Sequence, residues 1–472
     1  MNERRKERNI YWLSKAPVWK SLFALAFPTI MAQMIAVVYN IADTLFIGRL
    51  NDPSQVAAVT YVMPLMIIFN AIANLFGVGG AALIAHALGR KDIERAKIGA
   101  SFSLFYGLIV AIIYTILILS LKRFIYPSLG GSAETLLYME QYAFYTIILG
   151  TIPAVMNPLL AHLLRGEGRS FPASFGVTLG GLLNIALDPL FIFVFKMEVA
   201  GAGLATFLSN VIACIYLIVY ALVKRKTTTV NLNLKHFPSY SKVALEILVA
   251  GIPNAVISIM ASSSNIVTNI LFSPYGESAV AGWGIAKKID ILAFAIAQGM
   301  TQGALPLISY SYSAKNKERM MSSIKLAFLY SLVLGIAGMA FMYFLARPMS
   351  KLFIEDETTV TYASTLTRIL SLTCITTAPS FMAITVFQSL GKKWQPFFLS
   401  FFRKGILNIA FSLALAKTPM RENGIAAATP IADALAMTIT LTLFFIYFRK
   451  FLKAINSSPE WNIEKKEENP AA

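Results

Sequence analysis

Two aspartates, Asp43 and Asp188, sit deep inside long apolar stretches of a 472-residue chain. A carboxylate at bilayer depth costs at least ~2.5–3.5 kcal/mol on insertion scales, so each requires a compensating role. Asp43 shares one helical face with Gln33 and Asn40, at spacings of 7 and 3, and Tyr39 stands four residues before it. Asn184 and Asp188 stand at i and i+4, again on one face, with Pro189 next. Two roles fit these patterns. One is a hydrogen-bonded clamp between helices, joining Asp188 to Asn184 and Asn157. The other is cation coupling, because two carboxylates in a small apolar pocket cannot both ionise cheaply and such a pair is suited to exchanging a proton.

Further polar residues punctuate apolar runs later in the chain. Asn254, Ser258, Ser262, Asn265 and Asn269 form a stripe at spacings of 4, 4, 3 and 4. It faces either a cavity or a neighbouring helix. Lys287, Lys288 and Asp290 are followed by Gln298 and Gln302, and Arg403 is followed by Lys404. An internal ion pair, Asp290 with Lys287 or with Arg403, would neutralise buried charge; contact with substrate is the alternative. His86 and His162 fall near span ends, which suits interfacial positions, and three widely spaced histidines offer no metal cluster. Cys214 and Cys374 both lie in apolar runs and are expected to serve packing.

The elements that hold these residues are membrane helices. The chain is 57% hydrophobic and only 14% charged, with a mean hydropathy of +0.64. A soluble domain carries about 25% charged residues, so this one has too few to cover a water-facing surface. The net charge of +17 invites a nucleic-acid reading. That reading fails because the charges cluster between apolar runs.

Runs of about 20 apolar residues number twelve. They are predicted over 21–48, 56–86, 98–121, 134–163, 171–195, 200–223, 243–272, 279–312, 322–346, 359–389, 395–416 and 423–448. Prolines inside most of them predict bent helices around a cavity. With the N-terminus in the cytoplasm, 28 Lys and Arg fall on that side and 8 on the other, so both termini are expected inside.

The two halves repeat at an offset of about 224 residues. FPTIMAQMI from Phe27 aligns with IPNAVISIM from Ile252, and KDIER from Lys91 with KNKER from Lys315. Asn184-Ile-Ala matches Asn408-Ile-Ala, Gly168-Arg matches Gly391-Lys, and GAGLAT from Gly201 matches GIAAAT from Gly424. Six spans per half give a parallel repeat, the arrangement of transporters whose two bundles enclose a central site. The expected organisation is a cytoplasmic segment (1–20), a six-helix lobe (21–223), a polar cytoplasmic linker (224–242), a second six-helix lobe (243–448) and a disordered, interfacial tail (449–472). The first helix follows a basic N-terminus without a cleavage signal and is expected to be retained.

The twelve-span duplicated layout, together with YNIADTLFIGRL in span 1, LNIALDPLF in span 5 and GAGLAT in span 6, resembles the multidrug and toxic compound extrusion (MATE) family over nearly the whole chain. The resemblance implies an all-α integral membrane fold of twelve helices in two six-helix bundles around a central cleft. It also implies secondary active efflux of amphipathic, often cationic compounds by a monomer in the plasma membrane. In the matching branch Asp43 and Asp188 correspond to an N-terminal-half cation site, and Asn157, Asn184 and Thr206 match positions that line it. A tyrosine of span 4, Tyr142 or Tyr145, joins them. The candidate substrate cavity comprises Gln33, Tyr39, Asn40, Tyr142, Tyr145, Ser262, Asn265, Asp290, Gln298, Gln302 and Arg403.

The site's oxygen chemistry suits Na⁺ as well as H⁺; burial of the acids favours H⁺. Another branch carries a Glu in span 7 and an Asp in span 10. Here span 7 has instead the polar stripe from Asn254 to Asn269, and span 10 has threonines and serines but no acid, which argues against a C-terminal cation site of that kind. No cofactor is implied, and without a Walker A sequence, a nucleophile elbow or HExxH no enzymatic activity is expected. The rival reading is a flippase for lipid-linked saccharides. Its pyrophosphate headgroup would be met by Lys287, Lys288, Arg368 and Arg403.

Overall fold

The computed structural model describes residues 11–50, 52–129, 133–231, 239–392, 394–458 and 461. Among these residues every regular element is helical. A short α1 (Tyr11–Ser14) leads into α2 (Val18–Gly48), α3 (Pro53–Gly89) and α4 (Ile93–Leu129), which are spans 1 to 3. Span 4 is α5 (Ala133–Ala143), a π-helical turn (Phe144–Leu149) and α6 (Thr151–Gly166). Spans 5 and 6 are α7 (Ser170–Pro189), which runs into a second π turn (Leu190–Val194), and α8 (Glu198–Val223).

The second half repeats the order. Spans 7 to 9 are α9 (Ser241–Phe272), α10 (Glu277–Ser313) and α11 (Lys317–Lys351). Span 10 is α12 (Glu357–Ser371) with α13 (Thr373–Ser389). Span 11 is α14 (Trp394–Phe401), a third π turn (Phe402–Leu407) and α15 (Asn408–Leu415), and span 12 is α16 (Arg421–Ser457).

Eleven of these helical stretches are long and apolar enough to cross a membrane, and the bent pair of span 4, broken by 47° at Gly150, makes twelve. Each span begins one to five residues before its apolar core, and spans 2, 3, 4, 8, 9 and 12 also run past it at the C-terminal end, because polar end turns lack an apolar signal but still form backbone hydrogen bonds. The largest extension is α16. It continues to Ser457, so the first turns of the expected disordered tail are helix; residues 462–472 lie outside the described residues.

The duplication is written into the backbone. Lys91 (φ 60°) and Lys315 (φ 59°) are left-handed at matching positions, as are Gly168 (81°) and Gly391 (68°), and Glu198 (53°) and Arg421 (51°). Non-glycine residues avoid this region, so its recurrence at offsets of 223 and 224 marks the same turn made twice. The closing bonds recur too: Asp92 N–H to Ala87 O (2.8 Å) and Asn316 N–H to Ser311 O (3.1 Å), then Arg169 N–H to Leu164 O (3.0 Å) and Lys392 N–H to Phe387 O (2.9 Å). These satisfy orphan carbonyls at helix C-termini.

Contacts group the chain into two compact units. Unit 1 holds residues 24–84 and 93–262, and within it spans 4, 5 and 6 pack mutually. Unit 2 holds residues 10–23, 85–92 and 263–472; within it spans 8, 9 and 10 pack mutually and span 12 packs on spans 10 and 11. The first part of the polar linker is anchored. Glu167, 4% exposed, accepts hydrogen bonds from the Thr228 hydroxyl (2.8 Å), the Thr229 hydroxyl (2.5 Å) and Val230 N–H (3.1 Å), and pairs with Arg169 Nε (2.9 Å). Residues 232–238 of the linker lie outside the described residues.

Candidate functional site

Span 5 presents Asn184 and Asp188 on one face, as i and i+4 require. Both are buried, at 1% and 0% exposure. The Asn184 amide donates to Asp188 Oδ1 (3.2 Å) and to Thr206 Oγ1 on span 6 (3.4 Å). Asp188 Oδ2 is buried without a hydrogen-bond partner, and so is Asn184 Oδ1. Pro189 ends α7 directly after the acid, and its missing N–H lets the chain pass into the π turn Leu190–Val194.

Glycines bring the neighbouring spans onto this face. At Gly181 of span 5 a Cβ would stand 3.0 Å from Ile35 Cγ2 and 3.1 Å from Tyr39 Cδ1 of span 1. At Gly203 of span 6 it would stand 3.1 Å from the Tyr142 carbonyl oxygen and 3.2 Å from Tyr145 Cβ. Hydrogen in place of a side chain therefore admits the side chains of span 1 and the backbone of span 4. As a result Asp43 and Asp188 lie within electrostatic reach of each other, and Tyr39 and Tyr142 within reach of both. Tyr142 is 2% exposed and its hydroxyl meets Met66 Sδ at 3.9 Å.

Unit 1 thus gathers Asp43, Asp188, Asn184, Thr206, Tyr39 and Tyr142. Asn157 stands one step back: its amide donates to Asn210 Oδ1 (3.3 Å), and Asn210 donates to the Thr206 carbonyl (2.9 Å). Asn210 was not singled out from the sequence, although it stands four residues past the GAGLAT stretch of span 6. Tyr145 is half-buried on the π turn of span 4, against Phe144. Asn40 is exposed and turns its amide back onto the Ala36 carbonyl (2.6 Å); Gln33 lies two turns earlier, half-buried.

The remaining candidates belong to unit 2. Asp290 pairs with Lys287 (3.2 Å) and accepts from the Thr373 hydroxyl (3.1 Å), so of its two expected partners the nearer in sequence is the one present. Arg403 binds Asp433 instead, Nε to Oδ1 at 3.1 Å and Nη2 to Oδ2 at 3.2 Å. Thr377 bridges the pair, accepting from Arg403 (2.8 Å) and donating to Asp433 (3.1 Å), while Phe381 covers the guanidinium at 4.5 Å. Asp433 and Thr377 were missed; Asp433 follows GIAAAT where Asn210 follows GAGLAT, and that match was the available signal. Gln298 accepts from Thr301 through its carbonyl, Gln302 is half-buried, Asn265 is exposed, and the Ser262 side chain lies outside the described residues. His162 is buried, with its ring 2.9 Å from where a Cβ on Gly77 would stand.

Applying the repeat offset to the acid site gives a neutral copy. Asn184 and Asp188 correspond to Asn408 and Ser412, and Asn40 and Asp43 to Asn265 and Thr268. Asn408 Oδ1 accepts from Ser264 (2.5 Å), and Ser412 Oγ is buried without a partner. Among the described residues no cluster of three metal-ligating side chains occurs.

The MatE family model matches residues 28–190 and 253–413, two copies at the spacing of the internal repeat. The multidrug export protein MepA of Staphylococcus aureus (strain NCTC 8325 / PS 47) is 29% identical over 387 residues, covering 82% of this chain and 85% of its own length. MepA of Staphylococcus saprophyticus is 27% identical over the same extent. A solved outward-facing multidrug resistance MATE family transporter of the MOP superfamily superposes with a TM-score of 0.88 at 25% identity, over 96% of this chain and 99% of that one. A doubled family match that covers most of the first five spans of each half, within a fold superposable along nearly its whole length, leads to one assignment: this chain is a member of the MatE family of multi-span membrane transporters.

Proposed function

We propose that the chain is a secondary active multidrug exporter of the plasma membrane, with both termini in the cytoplasm. It exchanges inward-moving H⁺, or alternatively Na⁺, for amphipathic and often cationic organic compounds by alternating access. One observation carries this reading. Asp188 is buried with one carboxylate oxygen unpartnered, within reach of the charge on Asp43, among amide, hydroxyl and phenol groups that can re-bond when a proton or cation arrives. The names of the MepA relatives as multidrug export proteins support the same class of cargo.

Protonation of either acid changes it from a pure acceptor to a donor, so the Asn184–Asp188–Thr206 bonds must rearrange. Span 1 carries Asp43 and Tyr39 and bears Pro28 as a place to bend. One charge moved through 100 mV yields ~2.3 kcal/mol, enough for a roughly 50-fold gradient of cargo. Of the four cations on which the flippase reading rests, Lys287, Lys288, Arg368 and Arg403, two are already engaged, Lys287 by Asp290 and Arg403 by Asp433.

The test uses purified protein in proteoliposomes with a fluorescent organic cation, under an imposed pH or Na⁺ gradient, one at a time. One gradient is expected to drive the dye, and Asp43→Asn and Asp188→Asn are each expected to abolish the driven component. Wild-type transport in either variant sinks the coupling role.

A further inference from the structure

The matched KDIER and KNKER motifs end on Arg95 and Arg319, 224 residues apart, each in the first turn of the third helix of its half. Neither belongs to the site described above. Arg319 spends its guanidinium on the start of the chain. Nε donates to the Leu13 carbonyl (2.7 Å), Nη1 to the Ala16 carbonyl (2.6 Å), and Nη2 to the Trp12 carbonyl (3.0 Å) and the Ser21 hydroxyl (3.1 Å). It therefore caps the carbonyl end of α1 and fixes the corner into span 1, favourable for a cation at a helix C-terminus. The Asn316 side chain caps the helix that carries it, accepting from Arg319 N–H (2.7 Å).

Arg95 does the corresponding work in unit 1. Its Nη2 donates to Glu246 Oε1 (2.6 Å), in the second turn of span 7. That end of span 7 lies against span 2 at backbone distance: a Cβ on Gly79 would come within 2.0 Å of the Ile247 carbonyl oxygen, and one on Gly251 within 1.8 Å of the Leu75 carbonyl oxygen. Each arginine thus holds the beginning of the other half's first helix. Contact grouping agrees, since residues 10–23 belong to unit 2 and residues 241–262 to unit 1, which divides both first helices between units.

We propose that Arg95 and Arg319 are paired positioning residues: they lock the beginnings of spans 7 and 1 so that each first helix turns about its unit boundary, near residue 262 or 23, during transport. The transport half of this rests on the alternating-access reading; the lock itself does not. The two locks differ in chemistry. Arg319 serves four neutral oxygens from three nitrogens, which a lysine cannot reproduce, whereas Arg95 serves one carboxylate, which a lysine can.

The experiment places a single reporter, Ala16→Cys or Ile247→Cys, at residues that are 0% exposed, in a chain whose two native cysteines are buried. Labelling by a membrane-impermeant maleimide is followed in the full chain in liposomes without any gradient, on monodisperse protein only. Arg319→Lys and Arg319→Ala are both expected to raise labelling at position 16 by about tenfold, as local opening becomes cheaper. Arg95→Ala, which removes a partly exposed ion pair, is expected to raise labelling at position 247 by a smaller factor, about two- to fivefold, while Arg95→Lys leaves it near the wild-type rate. Dye turnover per labelled-competent molecule is expected to fall in the variants that open.

Unchanged labelling in Arg319→Ala and Arg95→Ala overturns the lock, whatever the dye does. Raised labelling with wild-type turnover overturns its role in transport. If the unmodified protein moves no dye under either gradient, the coupling reading fails, and labelling alone then upholds or overturns the lock.

Discussion

Arg403 of span 11 and Asp433 of span 12 meet side-on, through contacts of 3.1 and 3.2 Å, with their side chains 2% and 0% exposed. A pair so enclosed has given up its hydration, and the mutual attraction is spent largely on offsetting that loss. Removing one partner leaves a bare charge. Asp433→Asn is therefore expected to destabilise the protein by about 3–5 kcal/mol, whereas the double variant Arg403→Met with Asp433→Leu recovers most of the loss. Thermal unfolding of Arg403→Met, Asp433→Leu and the double variant in lipid nanodiscs checks this; additive losses would refute it.

The linker anchor makes a separate prediction. Glu167 collects two threonine hydroxyls, backbone N–H groups and Arg169 in a buried position. Hydrogen bonds to a charged acceptor contribute about 1.5–3 kcal/mol each when removed singly, so Glu167→Gln should free the segment 224–231. Limited proteolysis at its Lys224, Arg225 and Lys226 is expected to accelerate severalfold while the spans remain protected.

Two glycines should differ sharply in tolerance. A Cβ at Gly181 meets flexible side-chain atoms at 3.0 and 3.1 Å, which can yield by a few tenths of an ångström. One at Gly251 meets the Leu75 backbone at 1.8 Å, which cannot. Gly181→Ala is expected to fold with a loss near 1 kcal/mol, and Gly251→Ala to exceed the usual overpacking cost of about 1–3 kcal/mol and to yield little monodisperse protein. Size-exclusion profiles of the two variants decide it.

Asp356 caps α12, accepting from Thr359 N–H at 2.8 Å. Hydrogen bonds from the Thr359 side chain, then from its backbone, hold this carboxyl below the usual range. A depressed acid stabilises the fold above its unfolded pKa and loses that contribution as pH falls through the folded value. Asp356→Ala should therefore melt lower than wild type near neutrality. The gap should close progressively once pH drops below the ordinary aspartate value of about 3.9.

Much of this was legible in the residues. Long apolar runs announced the spans, because burial in hydrocarbon demands them, and the i, i+4 spacing put Asn184 beside Asp188. What remained hidden depends on partners distant in sequence. Asn210 reaches Asn157 across 53 residues, Asp433 reaches Arg403 across 30, and a lone polar residue in a span does not reveal which neighbour it faces. The linker looked like a generic polar connector because Glu167, its anchor, stands 61 residues before Thr228. Helix ends escaped for another reason: their turns are polar and contribute nothing to hydropathy.

The three matched pairs of left-handed corners, at residues 91 and 315, 168 and 391, and 198 and 421, have a consequence for how such a molecule diverges. The path of the chain is set at its corners, while the chemistry resides on faces between them. Aspartate at 188 can therefore stand opposite serine at 412 without re-routing either copy. Duplication has supplied two castings from one mould, and each was free to be wired on its own.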